Sequence, residues 1–461
     1  MPDTTSISNI SPTTIASNKM QKKNAFKIDD VVLVSSSGET YSLADKWQMI
    51  RIEEDVFSTS ISGEIRVKDA TNLLRHAPIV GQEQVYISWE TPGIGSGKVT
   101  KQFRIYKVGD KSIGPNGQVQ LYTLHFISNP AMLNMKTKCN YALQKKTITG
   151  MVGEIFKRHF PNSVLETKVS SDGIHTFILP MRTPFSCINW LCRRGTNASI
   201  PGDSSFLFYE DLDGFKVNTL QNMMKSGIQS TYKFKLPNTR QTGTFANLVE
   251  DFTNLEGDAI HFKKTPDKLK EMQNGMHSSA LLLHDITTKT YTTKTYDYFN
   301  HFDALHPEGN RFPVVANIEG ENITKAYSTN VGFKPKSSAS IGSIGDVDLK
   351  KFSETPFSYN NDLYEEWMQP SQSIHQQIQS QELVLTISGD SSRRVGQMVA
   401  LNFPSPEPRT NRDKGANLDE YVSGHYLITS IRHSIGRLDY TMELELSRTH
   451  FTVPLPSGDN I

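Results

Sequence analysis

Cys187 and Cys192 share the run Pro184-Phe-Ser-Cys-Ile-Asn-Trp-Leu-Cys-Arg-Arg-Gly195, and they are the first residues whose type and spacing suggest chemistry. A structural zinc site needs such a pair plus further ligands nearby, and no second pair exists. A cysteine nucleophile needs a partner histidine, and none of the 13 His sits in a recognisable motif. Buried apolar packing is the expected role of both thiols. Asp211-Leu-Asp213-Gly214 partly mimics a calcium loop, but Phe215 and Val217 fall where oxygen ligands belong, so a hairpin turn is expected. Glu443 and Glu445 form a carboxylate pair two residues apart, which strand alternation puts on the wet face of a sheet. Arg193-Arg194 reads as the basic complement of a helix C-terminus and Arg393-Arg394 as a turn, with contact to a neighbouring subunit as the second reading. Gly-rich phosphate loops, HExxH, GxSxG and clustered metal ligands are all missing from the sequence. The expectation is no enzyme: no catalytic, cofactor-binding or metal-binding residue, and no cofactor.

Composition sets the class. The chain has 461 residues, 36% of them hydrophobic, with 49 Lys+Arg against 48 Asp+Glu and 3 Cys. That length predicts about two to four domains with ample core. A net charge of +1 gives no overall drive toward nucleic acid or anionic membrane. No apolar run approaches the ~18 residues that span a bilayer. Three cysteines make no disulfide framework, which fits a reducing compartment. Residues 1–24 lack the apolar stretch of a signal peptide and read as a flexible tail or an arm that orders on a neighbouring subunit.

The elements that would position these residues are mostly strands. Between 25 and 132, runs such as Ile50-Arg-Ile-Glu-Glu54, Gln84-Val-Tyr-Ile-Ser-Trp89 and Val119–Ile127 alternate with period two between Gly/Pro/Asn turns, which predicts a compact β-barrel or sandwich. The period changes over 133–230. Met151, Val152, Ile155 and Phe156 fall on one helical face, stopped by Pro161, and a second helix has Thr183 as N-cap and Pro184 at its first position. With the Phe206–Val217 hairpin, this segment reads as a small α+β unit. Residues 231–258 and 376–450 return to β, around an inserted or peripheral segment at 259–375. Within that segment, 363–379 reads as helical, interrupted at Pro370. Residues 451–461 form a C-terminal tail.

The two β regions resemble each other. Gly81-Gln-Glu-Gln-Val85 parallels Gly396-Gln-Met-Val399, Phe103–Val108 parallels Tyr426–Ile431, and Leu121-Tyr122-Thr123 parallels Asp439-Tyr440-Thr441. A duplicated barrel on one polypeptide has a geometric consequence: a homotrimer presents six similar barrels about one axis. Such a ring docks a sixfold partner on one face while staying threefold on the other.

At these residues the chain resembles the baseplate hub protein of contractile-tailed bacteriophages. More distantly, it is similar to the N-terminal hub part of type VI secretion spike proteins. The carrying motifs are Pro184–Gly195, Ser205–Phe215, Tyr296-Asp-Tyr298, Val395–Leu401 and Ser423–Ile431, in that order. The resemblance implies a β-rich α+β fold: two related tube-type β-barrel domains, a small α+β domain and an inserted segment. It implies a homotrimeric pseudo-sixfold ring in the virion tail baseplate, assembled in the host cytoplasm as a late virion structural protein. The ring would join a hexameric tail tube to a trimeric central spike and leave a lumen for genome ejection, with DNA passing unbound and no membrane insertion. The chain ends at Ile461 without an OB-type domain or β-helical needle, so the spike is expected on a separate chain. Acidic lining by Glu443 and Glu445 would keep DNA from sticking to such a conduit. Competing readings are the hub of a non-phage contractile injection system, a cell-wall-polymer hydrolase with β binding modules, and a monomeric carbohydrate-binding module.

Overall fold

The computed structural model describes residues 24–92, 98–114, 117–234, 254–255, 259–285, 290–300, 317–318, 321–322, 328–334, 364–405, 418–419 and 421–449. Of the expected tail at 1–24, residues 1–23 lie outside them, as do the C-terminal tail at 451–461 and the Ser/Gly-rich connection at 337–345. The fold is β-rich and mostly antiparallel, with few helices.

Seven strands come first: β1 (Lys27–Val34), β2 (Thr40–Ser42), β3 (Trp47–Asp55), β4 (Ser62–Asp69), β5 (Gln84–Glu90), β6 (Val99–Ile113) and β7 (Gln120–Ser128). The middle segment contributes β8 (Ala142–Lys146), β9 (Leu165–Thr167), β10 (His175–Ile178), β11 (Phe206–Asp211) and β12 (Gly214–Thr219). Then come β13 (Ile228–Phe234), β14 (Asn254–Leu255), β15 (Ile260–Lys264), β16 (Ser278–Asp285), β17 (Thr290–Asp297), β18 (Asn317–Ile318), β19 (Glu321–Asn322) and β20 (Ser328–Lys334). The chain closes on β21 (Gln381–Ser388), β22 (Met398–Asn402), β23 (Gly424–Gly436) and β24 (Tyr440–Arg448).

The duplication is visible in the pairing order. In the first half the ladder runs β1-β5-β6-β7-β4-β3, and in the second it runs β13-β22-β23-β24-β21-β15. Position by position, these are the same path. One pair departs from it: β1 and β5 are antiparallel, whereas β13 and β22 are parallel. Even the irregularities recur, with a bulge at Ile105/Lys107 in β6 and at Ile428/Ser430 in β23. Residues 260–264, which the sequence reading counted with the insertion, form β15 and pair with β21 in this main sheet.

The halves are not separate sheets. β3 pairs antiparallel with β23, from Met49 opposite Gly436 to Asp55 opposite Ser430, which fuses the described strands into one 14-stranded sheet. One apolar core runs under both halves, from Val31 and Trp89 to Met442 and Leu446. Gly63 sits where the fit is tight: a Cβ there would fall 2.2 Å from the Arg51 carbonyl and 2.4 Å from the Phe126 ring.

The middle segment has its own core of Met151, Ile155, Phe156, Phe185, Ile188, Phe208 and Phe215. Helix Ile148–His159 is capped by Thr147, whose hydroxyl accepts from the Gly150 N–H. Helix Pro184–Cys192 starts after extended Thr183 as expected, but that hydroxyl is 3.0 Å from Ser186 Oγ instead of capping the backbone. Helix Tyr364–Ile378 corrects one expectation, since it runs unbroken through Pro370. Proline removes the bond to the Glu366 carbonyl, and Ser204 Oγ donates to that oxygen at 3.4 Å.

Candidate assembly site

Of the residues flagged on the sequence, the structure brings together Arg394 and Asp213, and the others do not converge. Cys187 and Cys192 are buried, and Cys187 Sγ donates to the Pro180 carbonyl at 3.4 Å. Burial pushes the Cys187 thiol up to about 11 and the Cys192 thiol up to about 12, which leaves little thiolate. Cys139, not flagged on the sequence, lies 3.3 Å from His159 Nε2 and is equally buried. Among the described residues no group of three or more His, Cys, Asp or Glu is arranged to hold a metal. Asp211 spends one carboxylate oxygen on the N–H groups of Asp213 (2.9 Å) and Gly214 (3.1 Å), and the other on Lys216. This is turn chemistry. Arg194 donates to the Trp190 carbonyl at 2.9 Å and stacks over the Trp190 ring. Arg393 pairs with Asp390, and Arg394 reaches Asp213 of the β11–β12 turn at 2.9 Å.

What the fold does bring together is a polar seam where the two β halves meet the middle segment. β3 carries Ile50, Ile52 and Glu54 on its inward face, and β23 carries Ile431, His433 and Ile435 on its own. Glu54 and His433 are fully buried. The Glu54 carboxylate meets His433 Nε2 at 2.8 Å and accepts the Leu212 N–H at 2.9 Å, while Ser430 Oγ donates to the Glu54 carbonyl at 3.0 Å. Since a carboxylate only accepts, Nε2 carries a proton, and Nδ1 lies 2.7 Å from the Tyr440 hydroxyl. A single carboxylate thus ties the first half, the second half and the β11–β12 turn. Gly389 clears the space for Tyr440, since a Cβ there would meet the ring at 2.0 Å.

A second buried acid holds the middle segment to the first half. Glu210 Oε2 accepts the Ile61 N–H at 3.0 Å. Burial pushes its carboxyl from the usual 4.5 up to about 7. An acid raised on folding favours the folded state below its unfolded value, and that advantage is lost as pH climbs through the folded one. The wild type should therefore lose on the order of 3 kcal/mol between about pH 4.5 and 7 relative to Glu210→Gln. Urea midpoints of the two proteins across that range check it, and parallel curves would contradict it.

The outward face of the fused sheet is charged but internally paired. Arg51 meets Glu64 at 3.1 Å, and Arg432 meets Glu53 at 2.9 Å and Glu443 at 3.0 Å. Lys263 meets Glu445 at 2.9 Å and Glu382 at 3.8 Å. The Glu445 hydrogen bond, ahead of the neighbouring acids' fields, holds the Lys263 ammonium above its usual range. Glu443 and Glu445 stand on the wet face as alternation requires, yet they are not an acidic lining, because each is matched by a base. An open depression of about 310 Å³ lies on this face, lined by Arg51, Glu53, Glu64, Tyr106, His125 and Arg432.

Among the described residues the junction has two counterparts whose outer sides pair with no strand. By the repeat, β15 occupies the position of β3, and the outer part of β6 occupies that of β23. Beyond Ile105, β6 pairs only with β7 among the described residues, and β15 pairs only with β21. Both open edges carry exposed apolar side chains, with Ile113 at 67% exposure and Phe262 at 42%. Transferring the β3–β23 register sets His261 opposite Ser112 and Ile260 opposite Ile113, as Arg51 stands opposite Ser434 and Ile50 opposite Ile435.

No protein-family model and no curated protein matches the chain. Among solved structures, a tail protein from Neisseria meningitidis MC58 is 11% identical at a TM-score of 0.49, covering 91% of this chain and 96% of that one. The 43 kDa tail protein of prophage MuSo2 from Shewanella oneidensis is 10% identical at 0.49, with 91% and 98% covered. An E. coli type VI secretion component, described as structurally similar to the T4 bacteriophage tail proteins gp27 and gp5, is 9% identical at 0.40, with 94% and 79% covered. The structural neighbours of this β-rich chain are phage tail proteins and type VI secretion VgrG complexes.

Proposed function

We propose that this chain is a structural baseplate hub without a chemical step, a homotrimeric ring of six related barrels that adapts a hexameric tail tube to a trimeric central spike. The observation that carries the reading is the pair of complementary open edges. Among the described residues, each chain makes the β3–β23 junction once internally and leaves the two halves of the same junction, β15 and the outer part of β6, without a strand on that side. A heterologous contact of this kind closes into a ring if its rotation divides the circle and otherwise grows as a filament. Unpaired strand edges are also ready templates for a second chain.

In the ring, each chain contributes one eight-strand run, β6-β7-β4-β3-β23-β24-β21-β15. Three runs at about 4.8 Å per strand enclose a cylinder roughly 37 Å across between backbones, enough for a nucleic-acid duplex after side chains are added. The reading divides the chain into two barrels at 25–132 and 231–258 with 376–450, an α+β domain at 133–230 and an insertion at 259–375. β15 moves from the insertion to the second barrel. Six similar barrels would meet the sixfold tube, while three α+β domains, hung from Glu54 and Glu210, would keep threefold symmetry toward the spike. The site of action is the virion tail, assembled in the host cytoplasm.

The register supplies a test. Ser112→Cys with His261→Cys should give a reducible ladder ending at three chains when the purified protein is mildly oxidised, and each single variant should stay unlinked. A double variant that never cross-links between chains would sink the edge-to-edge contact.

A further inference from the structure

The hub reading leaves open which surface a passing polymer meets, and the pairing on the fused sheet answers it. One face of the run β7-β4-β3-β23-β24-β21 is packed on the common core, with Ile50, Ile65, Leu124, Ile431, Leu444 and Leu385 all buried. A closed ring of this sheet must therefore turn its other face inward to the lumen or outward to solvent as a whole, since alternation assigns every second residue to it. The core and the back strands β1, β5, β13 and β22 lie on the buried side, so the barrels' bulk surrounds the sheet only if the wet face is the inner one.

Resting on the hub reading, we propose that this wet face is the conduit wall, and that Glu53, Glu443 and Glu445 act there as guards, holding Arg432 and Lys263 away from the phosphates of a linear nucleic acid that slides through. The geometry is specific. Arg432 is gripped from both neighbouring strands, by Glu53 at 2.9 Å on β3 and Glu443 at 3.0 Å on β24. Lys263 is gripped by Glu445 at 2.9 Å and Glu382 at 3.8 Å. A guanidinium or ammonium with both sides occupied by carboxylates offers no free fork to a phosphate, and the interleaved signs leave little net field to attract or stall a polyanion. A merely acidic wall would repel, and a basic one would bind. This wall does neither.

The experiment uses the full chain and two probes, a linear DNA duplex and a covalently closed circle of the same sequence. Only the linear molecule can thread a preformed ring. In Glu53→Gln/Glu443→Gln/Glu445→Gln, retention of the linear duplex at low salt should rise at least tenfold over wild type, while the circle stays unretained. In a ring of three chains the variant frees three Arg432 and leaves three Lys263 held only by Glu382 at 3.8 Å, so up to six phosphate contacts should bring the log–log salt slope toward about −5.4. Adding Arg432→Gln to the triple variant should halve that slope, toward about −2.7. Unchanged retention in a ring of three chains overturns the assignment while leaving the hub reading intact. Equal retention of circle and linear duplex places the face outside the lumen and also overturns it. A variant and wild type that both stay monomeric overturn the hub reading, and this inference falls with it.

Discussion

Glu54→Ala should remove about 3–5 kcal/mol of stability, since each buried donor left without its acceptor costs about 1–3 kcal/mol and two are left at once. The loss exceeds a single hydrogen bond because two donors lose their acceptor together and the contact behind them loses its anchor. The Leu212 N–H, the His433 Nε2–H and the ordered His433–Tyr440 contact all remain buried. Glu54 and His433 have no exposed side-chain surface, so bulk solvent does not reach the orphaned donors. The expected signature is a lowered urea midpoint, with the middle segment released from the β halves at lower urea than in wild type. Glu54→Gln keeps an acceptor for Leu212 and should cost less. A Glu54→Ala protein within 1 kcal/mol of wild type would show that the seam is not what joins the three parts.

Ile113→Asp combined with Phe262→Asp should have the opposite profile. Both side chains are substantially exposed in the single chain, so folding stability should move by no more than about 0.5 kcal/mol. Ring formation should fail. In the proposed ring these positions stand where the internal junction has Ile435 and Ile52, which are fully buried. Burying two unpaired carboxylates per contact should cost on the order of 3 kcal/mol or more, a factor of at least about a hundred in association. Thermal unfolding and sedimentation of the same sample separate the two effects. A double variant that assembles normally would remove these edges from the interface.

The sequence carried the repeat because alternation and turn glycines are local signals. Phe103 and Tyr426 were matched on it, and they occupy the same place, opposite Val85 and Val399. The last strand was matched two residues out of register. Tyr122 was aligned with Tyr440, whereas Phe126 opposite Ile105 and Leu446 opposite Ile428 make Met442 the counterpart of Tyr122. A shift of two preserves the inward face, so a period-two pattern is blind to it. The shared dipeptides Tyr122-Thr123 and Tyr440-Thr441 drew the alignment to that offset.

Other features were hidden for different reasons. β15 is five residues long with two lysines at its end, too short and too polar to announce a strand within a charged stretch. Glu54 and His433 are 379 residues apart, so no spacing rule links them. A signal was present nonetheless: each is the one titratable residue in an otherwise apolar inward phase, Ile50-Ile52-Glu54 and Ile431-His433-Ile435. Two inward-facing polar residues on strands of related copies point to a partner across a seam. Glu443 and Glu445 were readable as wet but not as paired, because their partners Arg432 and Lys263 come from other strands.

The central claim is that one chain holds two related barrels whose leftover edges close a threefold ring. Its most direct test is the mass of the purified full-length chain in dilute solution, measured across a concentration series with and without a tail tube protein. The account predicts a discrete species of three times 51.8 kDa, lost in the Ile113→Asp/Phe262→Asp variant. A species that stays at 51.8 kDa under every condition, or that settles at two or four chains, would contradict it.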